Sequence, residues 1–98
     1  MMRPELCDAI HSQQLVFFYY RGGFRAVEPH CYGISTAGNE VLRAYQVEGY
    51  SESGEPIGWK LFRVSEISSL TIMAEQFVGP RPEYNPDDSA MQTIFCCL

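Results

Sequence analysis

The sequence contains few of the features that mark membrane or secreted proteins. Its longest apolar run, Leu15 to Tyr20, is far shorter than the roughly 20 residues that a membrane-spanning helix requires. The opening residues, MMRPELCDAI, lack the apolar stretch of a signal peptide. We therefore expect a protein without a membrane segment that is located in the cytoplasm.

Cations are also scarce, since 7 Lys and Arg stand against 12 Asp and Glu and the formal net charge is −5. A general duplex-DNA binder needs many cations to displace counterions, so this class is disfavoured. The cations nevertheless concentrate in the middle of the chain, where they can form a local basic patch. They are Arg21, Arg25, Arg43, Lys60 and Arg63.

The cysteines lack the spacing of a metal or redox motif. Cys7, Cys31, Cys96 and Cys97 form no CxxC or Cys/His pattern. We expect them to be buried free thiols in a reducing compartment. No cofactor or metal ion is predicted, because no motif for either is present.

The chain is long enough for one small domain, and its pattern is mainly β. Residues 3 to 12 predict a short helix with Pro4 in its first turn and Leu6 and Ile10 on one face. Aromatic and alternating segments joined by tight turns predict five strands. The strands are 14–20, 25–35, 40–48, 58–64 and 68–75. We expect an SH3-like or Sm-like, strongly bent five-stranded antiparallel sheet or partial barrel behind one N-terminal helix.

The alternating pattern typical of strands ends near Phe77, and a proline-containing stretch follows. The stretch GPRPEYNPDDS has three prolines and no period, which indicates an irregular arm. The apolar stretch AMQTIFCCL then predicts a short helix or strand that docks on the core. Residues 1–76 are therefore expected to form the helix and sheet, with an arm and tail at 77–98 packing on the same domain.

The residues give little support for catalysis, and we predict that the protein is not an enzyme. Glu28 and His30 share one face of a strand, so that a carboxylate could orient the imidazole. Cys31 points to the opposite face, however, and cannot pair with His30. No serine or second histidine is placed to complete a site.

Binding is better supported, because cations and rings alternate on three predicted neighbouring strands. Arginine grips phosphate or carboxylate with two hydrogen bonds, and tyrosine stacks on bases. Taken singly, Arg25, Tyr45 and Lys60 fit a structural or surface role as well as ligand contact. Trp59 is expected to be a packing residue.

Three segments together resemble the WYL domain family: LVFFYYRGGFRAVEPHCYGIS, NEVLRAYQ and GWKLFRVSEISSLTI. The resemblance implies an SH3-like or Sm-like sheet and a ligand-sensing module. Family members usually follow a winged helix-turn-helix in bacterial transcription regulators, and several are thought to sense nucleic acid. The implied ligand-facing set is Tyr19 or Tyr20, Arg25, His30, Arg43, Lys60 and Arg63. The signature tripeptide is replaced by Glu40-Val41-Leu42, and Lys60 stands where arginine is common.

We therefore predict a stand-alone sensing or regulatory module that binds a nucleotide, a short single-stranded nucleic acid or another anionic small molecule. The predicted Arg/Tyr face consists of Tyr19, Arg25, His30, Arg43, Tyr45, Lys60 and Arg63. The alternative is a non-catalytic accessory or dimerisation protein with a vestigial ligand face. In that case the sheet edge, the arm or the tail would dock on a second copy or on a separate regulator protein.

Overall fold

The computed structural model describes residues 3–98 and confirms a mainly β fold with an N-terminal helix. Helix α1 spans Pro4–His11. The strands are β1 Gln14–Tyr20, β2 Gly23–Ser35, β3 Glu40–Gly49, β4 Gly58–Arg63, β5 Ser68–Gln76 and β6 Met91–Cys97. A single 3-10 turn within this range, Val64–Glu66, joins β4 to β5.

The strands form one antiparallel sheet in the order β4-β3-β2-β1-β5, and β6 pairs with β2 as well. The first part of β2 pairs with β1, and its last part, from Cys31 to Ser35, pairs with β6. The register between β2 and β3 shifts between Pro29 and Cys31, as expected where proline interrupts a ladder. The apolar tail therefore adds a sixth strand to the five that were predicted.

The core lies between α1 and one face of the sheet. Leu6 and Ile10 of α1 are fully buried, as the helical spacing predicts. The rings of Phe18 and Tyr20 each meet Phe62 edge-on, with centroids 5.0 Å apart in both pairs. Within residues 3–98, no helix combines the length and apolarity needed to cross a membrane.

Two disulfides fasten β6 to the rest of the domain. Cys7 of α1 is bonded to Cys96, and Cys31 of β2 is bonded to Cys97. The prediction of free thiols was wrong, because each cysteine comes close to another only through the pairing of β6 with β2. Adjacent residues of a strand point to opposite faces, so Cys96 reaches the helix while Cys97 reaches the outer side of β2.

Candidate anion-binding site

Arg25 is a buried cation enclosed by aromatic rings. It lies near the start of β2, opposite Phe18 of β1, and its side chain points to the core face of the sheet. Only 4% of the residue is exposed. Its Cζ lies 5.0 Å from the ring centroid of Tyr20 and 5.6 Å from those of Tyr50 and Phe62. Cation–π attraction therefore stabilises the charge. The rings do not, however, accept conventional hydrogen bonds from the N–H groups of the guanidinium.

One edge of the Arg25 guanidinium has no hydrogen-bond partner. Nε and Nη2 are buried, and neither finds an acceptor among residues 3–98. Arg21, Arg43 and Arg81 each use this same pair of nitrogens to hold one carboxylate through two bonds. The open edge of Arg25 therefore has the geometry that elsewhere in this protein binds two oxygens of one anion.

Arg25 also helps to line a cavity of about 310 Å³, although its Nε and Nη2 are themselves buried. Arg21, Arg25 and Lys60 contribute three cations to its lining, against one carboxylate from Glu52. Tyr20 and Phe62 also line it, and together with Tyr50 they form the aromatic cage around Arg25. Because Arg21 is bound to Glu66, three cations stand against two carboxylates around the cavity, on a protein whose net charge is −5.

Lys60 organises the loop at the mouth of this cavity. Its ammonium donates hydrogen bonds to Ser51 Oγ (3.2 Å), Ser53 Oγ (3.3 Å) and the backbone oxygen of Glu55 (2.6 Å). These three bonds use all three ammonium hydrogens. Lys60 therefore contributes positive charge and holds the loop, while the free donors belong to Arg25.

Tyr50 covers the site from the loop side. It is 45% exposed, and its backbone N–H donates to Phe24 O at 3.0 Å. The ring lies against the β1–β2 turn, where any side chain at position 23 would collide with Cβ of Tyr50. Glycine at Gly23 thus lets the ring approach Arg25 closely.

A second cavity of about 330 Å³ adjoins the first along β4. Arg63 and Arg21 line it, and Tyr20, Arg21 and Leu61 line both cavities. Nε of Arg63 lies 3.8 Å from a carboxylate oxygen of Glu66, a half-exposed pair of small energetic weight. Arg63 therefore lines the second cavity and makes no contact with the buried edge of Arg25.

The predicted face divides into two, because Arg43 and Tyr45 lie on the opposite side of the sheet. Lys60 pairs with Ala44, so the side chains of Arg43 and Tyr45 alternate away from it. Arg43 is bound to Asp88, with Nε 2.6 Å from Oδ2. This hydrogen bond holds the pKa of the Asp88 carboxyl below its usual range, against the opposing effect of burial. The expectation that these side chains converge with Arg25 was wrong.

His30 and Tyr19 are also placed away from the Arg25 site. His30 is fully buried beneath the arm, which prevents it from stacking on a ligand. Burial lowers the pKa of its imidazole, and the charge of Arg81 lowers it further. Tyr19 lies on the outer face of β1 and meets Phe24 edge-on at 5.2 Å, so Tyr20 takes its place in the cage.

Sequence reasoning missed Tyr50 and Arg81. Tyr50 stands in a polar loop whose length hides its return to the β1–β2 turn. Arg81 was assigned to an irregular arm, although its position between two prolines signals a fixed extended backbone. The partner of Arg43 was missed because Asp88 is 45 residues away in the sequence.

Comparisons with known proteins returned no match. No family model, no curated protein and no solved structure matches the chain. The resemblance to the WYL family therefore stays a prediction.

Proposed function

We propose that this protein is a non-catalytic sensing module that binds an anionic ligand at Arg25. The ligand presents two oxygens of a phosphate or carboxylate to Nε and Nη2, and a nucleotide or short single-stranded nucleic acid carries such a group. The observation that carries the proposal is the buried guanidinium edge without an acceptor. A charged donor in the interior without a partner is costly, and it is retained where function requires it.

The surroundings of Arg25 support a ligand with a planar group beside its charge. Tyr50 is half-exposed and its ring lies beside the Arg25 guanidinium, so this ring can stack on a base. Because the free nitrogens are buried, the ligand enters by displacing the Tyr50 ring. The bonds from Lys60 to Ser51, Ser53 and Glu55 keep the rest of the loop in place during this movement.

The experiment is a titration of inorganic phosphate, AMP and oligo-dT against the wild type, Arg25→Met and Arg43→Met. Isothermal titration calorimetry reports binding, because the Trp59 indole packs against Tyr45 on the opposite face of the sheet. Arg43→Met is the matched control, since it removes an arginine from the opposite face. We expect wild type and Arg43→Met to bind alike and Arg25→Met to bind at least about tenfold more weakly, the loss of a charge-assisted contact.

Equal affinity of wild type and Arg25→Met for these probes would refute the proposal. Flat titrations for all three probes would assign Arg25 to a structural role within its rings. A salt dependence that exists for oligo-dT but not for AMP would identify contacts beyond one phosphate, with Arg21 and Arg63 as the neighbouring cations.

The alternative, an accessory or dimerisation protein, rests on an exposed aromatic patch. Phe24 is 49% exposed and stacks on Phe17 at 5.2 Å, and Tyr19 completes the patch. Exposed aromatic clusters of this kind occur at protein interfaces. Light scattering at rising concentration tests it: a dimer that Phe24→Ser abolishes would favour this function.

The cytoplasmic location stays a prediction. Two disulfides are more typical of proteins in oxidising compartments. Cell fractionation followed by thiol labelling would decide between the two environments.

A further inference from the structure

The arm places a proline-flanked arginine on the outer face of the sheet, away from Arg25. The segment is Gly79-Pro80-Arg81-Pro82. Each proline fixes its own φ and pushes the preceding residue to an extended conformation. Tyr84 N–H then donates to Arg81 O at 3.2 Å, which turns the chain back. The arm is therefore a short, stiff ligand-like segment with few internal hydrogen bonds.

The sheet provides a pocket for the Arg81 side chain. Nε and Nη2 donate to the two carboxylate oxygens of Glu28 at 2.6 and 2.9 Å. The Glu28 side chain is only 6% exposed, so the sheet presents a buried acid to the arm. The guanidinium also lies over the Tyr45 ring, with Cζ 4.6 Å from its centroid. The carboxylate binds the edge of the guanidinium and the aromatic ring contacts its face. This combination is selective for arginine.

Side chains of the sheet also form hydrogen bonds with the backbone of the arm at Arg81 and Pro82. Trp59 Nε1–H donates to Pro82 O at 2.9 Å. Arg81 N–H donates to His30 Nε2 at 3.2 Å, while the other ring nitrogen, Nδ1, donates to Glu28 O at 2.8 Å. Several domains recognise extended proline-rich peptides with aromatic side chains that line a groove.

The arm does not fill the space on this face. A recess of about 720 Å³ is lined by residues 77–81 of the arm and, on the sheet, by Glu28, Glu75, Leu15 and Val47. The side chain of Arg81 is itself 40% exposed. The arm therefore occupies an acidic, partly apolar groove that can hold a longer segment.

We propose that this groove is a docking site for a proline-flanked arginine of a partner protein, and that the arm of this chain occupies it as an intramolecular competitor. Every recognising group belongs to β2, β3 or β4, and every recognised group belongs to the arm. The occupant is not the arm of a second copy, because both ends of this arm are held: β5 pairs with β1, and disulfides fix β6. The groove lies opposite the Arg25 face and does not depend on the function proposed there.

The competition sets the conditions for binding. A tethered segment acts at an effective concentration in the millimolar range. A partner segment of similar affinity therefore binds weakly to the wild type and more tightly once the arm is released. The partner, rather than the arm, then supplies the cation that neutralises Glu28.

The experiment uses full-length Arg81→Ala, Pro82→Ala protein and a synthetic peptide of residues 78–85, VGPRPEYN. The matched control is the same peptide with alanine in place of its arginine. Trp59 fluorescence and the thermal midpoint are the readouts. We expect the arginine peptide to shift the fluorescence and raise the midpoint of the double variant, with at least tenfold weaker binding to the wild type and no binding of the alanine peptide.

Equal binding of both peptides would overturn the proposal, as would no binding to a double variant with native far-UV circular dichroism. If the double variant does not fold, Arg81→Lys replaces it, since lysine keeps the charge and loses the fork. Flat titrations with Arg81→Lys would refute the docking site. A wild-type dimer that Arg81→Lys dissociates would reassign the groove to a second copy and overturn the choice of partner.

Discussion

The ring of Tyr20 covers one side of the Arg25 guanidinium, with 5.0 Å between Cζ and the ring centroid. The Tyr20 hydroxyl also accepts a hydrogen bond from the backbone N–H of Arg63 at 3.0 Å. A single tyrosine thus holds the buried cation against β1 and ties this strand to the end of β4. The position of Arg25 is consequently fixed by the core rather than by a flexible surface contact.

Arg25→Met is expected to stabilise the protein while it removes anion binding. Methionine keeps the length and apolar contacts of the arginine, and it eliminates two buried donors without acceptors. We expect a gain of about 1 kcal/mol in the free energy of unfolding, measured by urea titration. Arg43→Met should lose about 1–3 kcal/mol instead, because it leaves the mostly buried Asp88 carboxylate unpaired. A loss with Arg25→Met would mean that cation–π packing outweighs the unpaired edge.

Acid is expected to loosen the arm through His30. The imidazole has a pKa of about 6.5 when unfolded, and burial lowers the pKa in the folded protein. The unfolded state therefore binds the proton first, so the stabilisation is complete above about pH 6.5 and is lost as the pH falls through the folded pKa. Protonation also removes the acceptor that binds Arg81 N–H.

The measurement for His30 is the free energy of unfolding between pH 7.5 and 4.5, with Trp59 fluorescence as the probe. The difference between wild type and His30→Gln should fall by at most about 1.4 kcal/mol per pH unit, the limit for one proton. A difference that stays constant over this range would exclude His30 as the titrating group.

Each disulfide is expected to contribute similarly to stability. The bonds close loops with sequence separations of 89 and 66 residues. Chain entropy assigns about 4 to 5 kcal/mol to loops of this size and a difference of about 0.3 kcal/mol between them. The double variants Cys7→Ala, Cys96→Ala and Cys31→Ala, Cys97→Ala should therefore have similar urea midpoints, well below that of the wild type. A dithiol reductant should lower the midpoint of the wild type and also that of each double variant, because each variant keeps one disulfide. Midpoints unaffected by the reductant would show that the bonds do not form.

Glu83→Gly is expected to stabilise the turn of the arm. Glu83 has φ 70°, directly after Pro82, a position where glycine is favoured. Glycine relieves this backbone strain but increases the conformational entropy of the unfolded chain. We expect the first effect to be larger, so that the free energy of unfolding rises by about 0.5 kcal/mol. Pro82→Ala is the comparison and should destabilise by a similar amount. A lower thermal midpoint for Glu83→Gly would indicate that its side chain holds the arm.

Local patterns predicted the fold well because they act over a few residues. Aromatic QLVFFYY, the RGGF turn and the alternation around Leu42 and Ala44 all specify strands that the structure contains. The pairing of β6 with β2 could not be predicted, since it depends on contacts between residues far apart in the sequence, such as Cys31 and Cys97. The error about the cysteines follows from the same cause.

The candidate site was predicted less completely, because residue type does not reveal which face a cation occupies after a register shift. Arg25 and Lys60 do lie on the core side of the sheet, but Arg43 reaches Asp88 on the other side, and Arg63 alternates with Lys60 along β4. The composition indicated interleaved cations and rings. It could not indicate that only Arg25 among them keeps a buried edge without a protein acceptor within residues 3–98.

The disulfides at Cys96 and Cys97 have a consequence for proteolysis. A protease that cuts the arm between Phe77 and Ala90 separates β6 from the preceding backbone, yet both resulting fragments stay covalently linked through Cys7 and Cys31. Nicked protein would migrate as one species under non-reducing conditions and as two after reduction. Cleavage could thus free the groove at Glu28 without shedding the final strand.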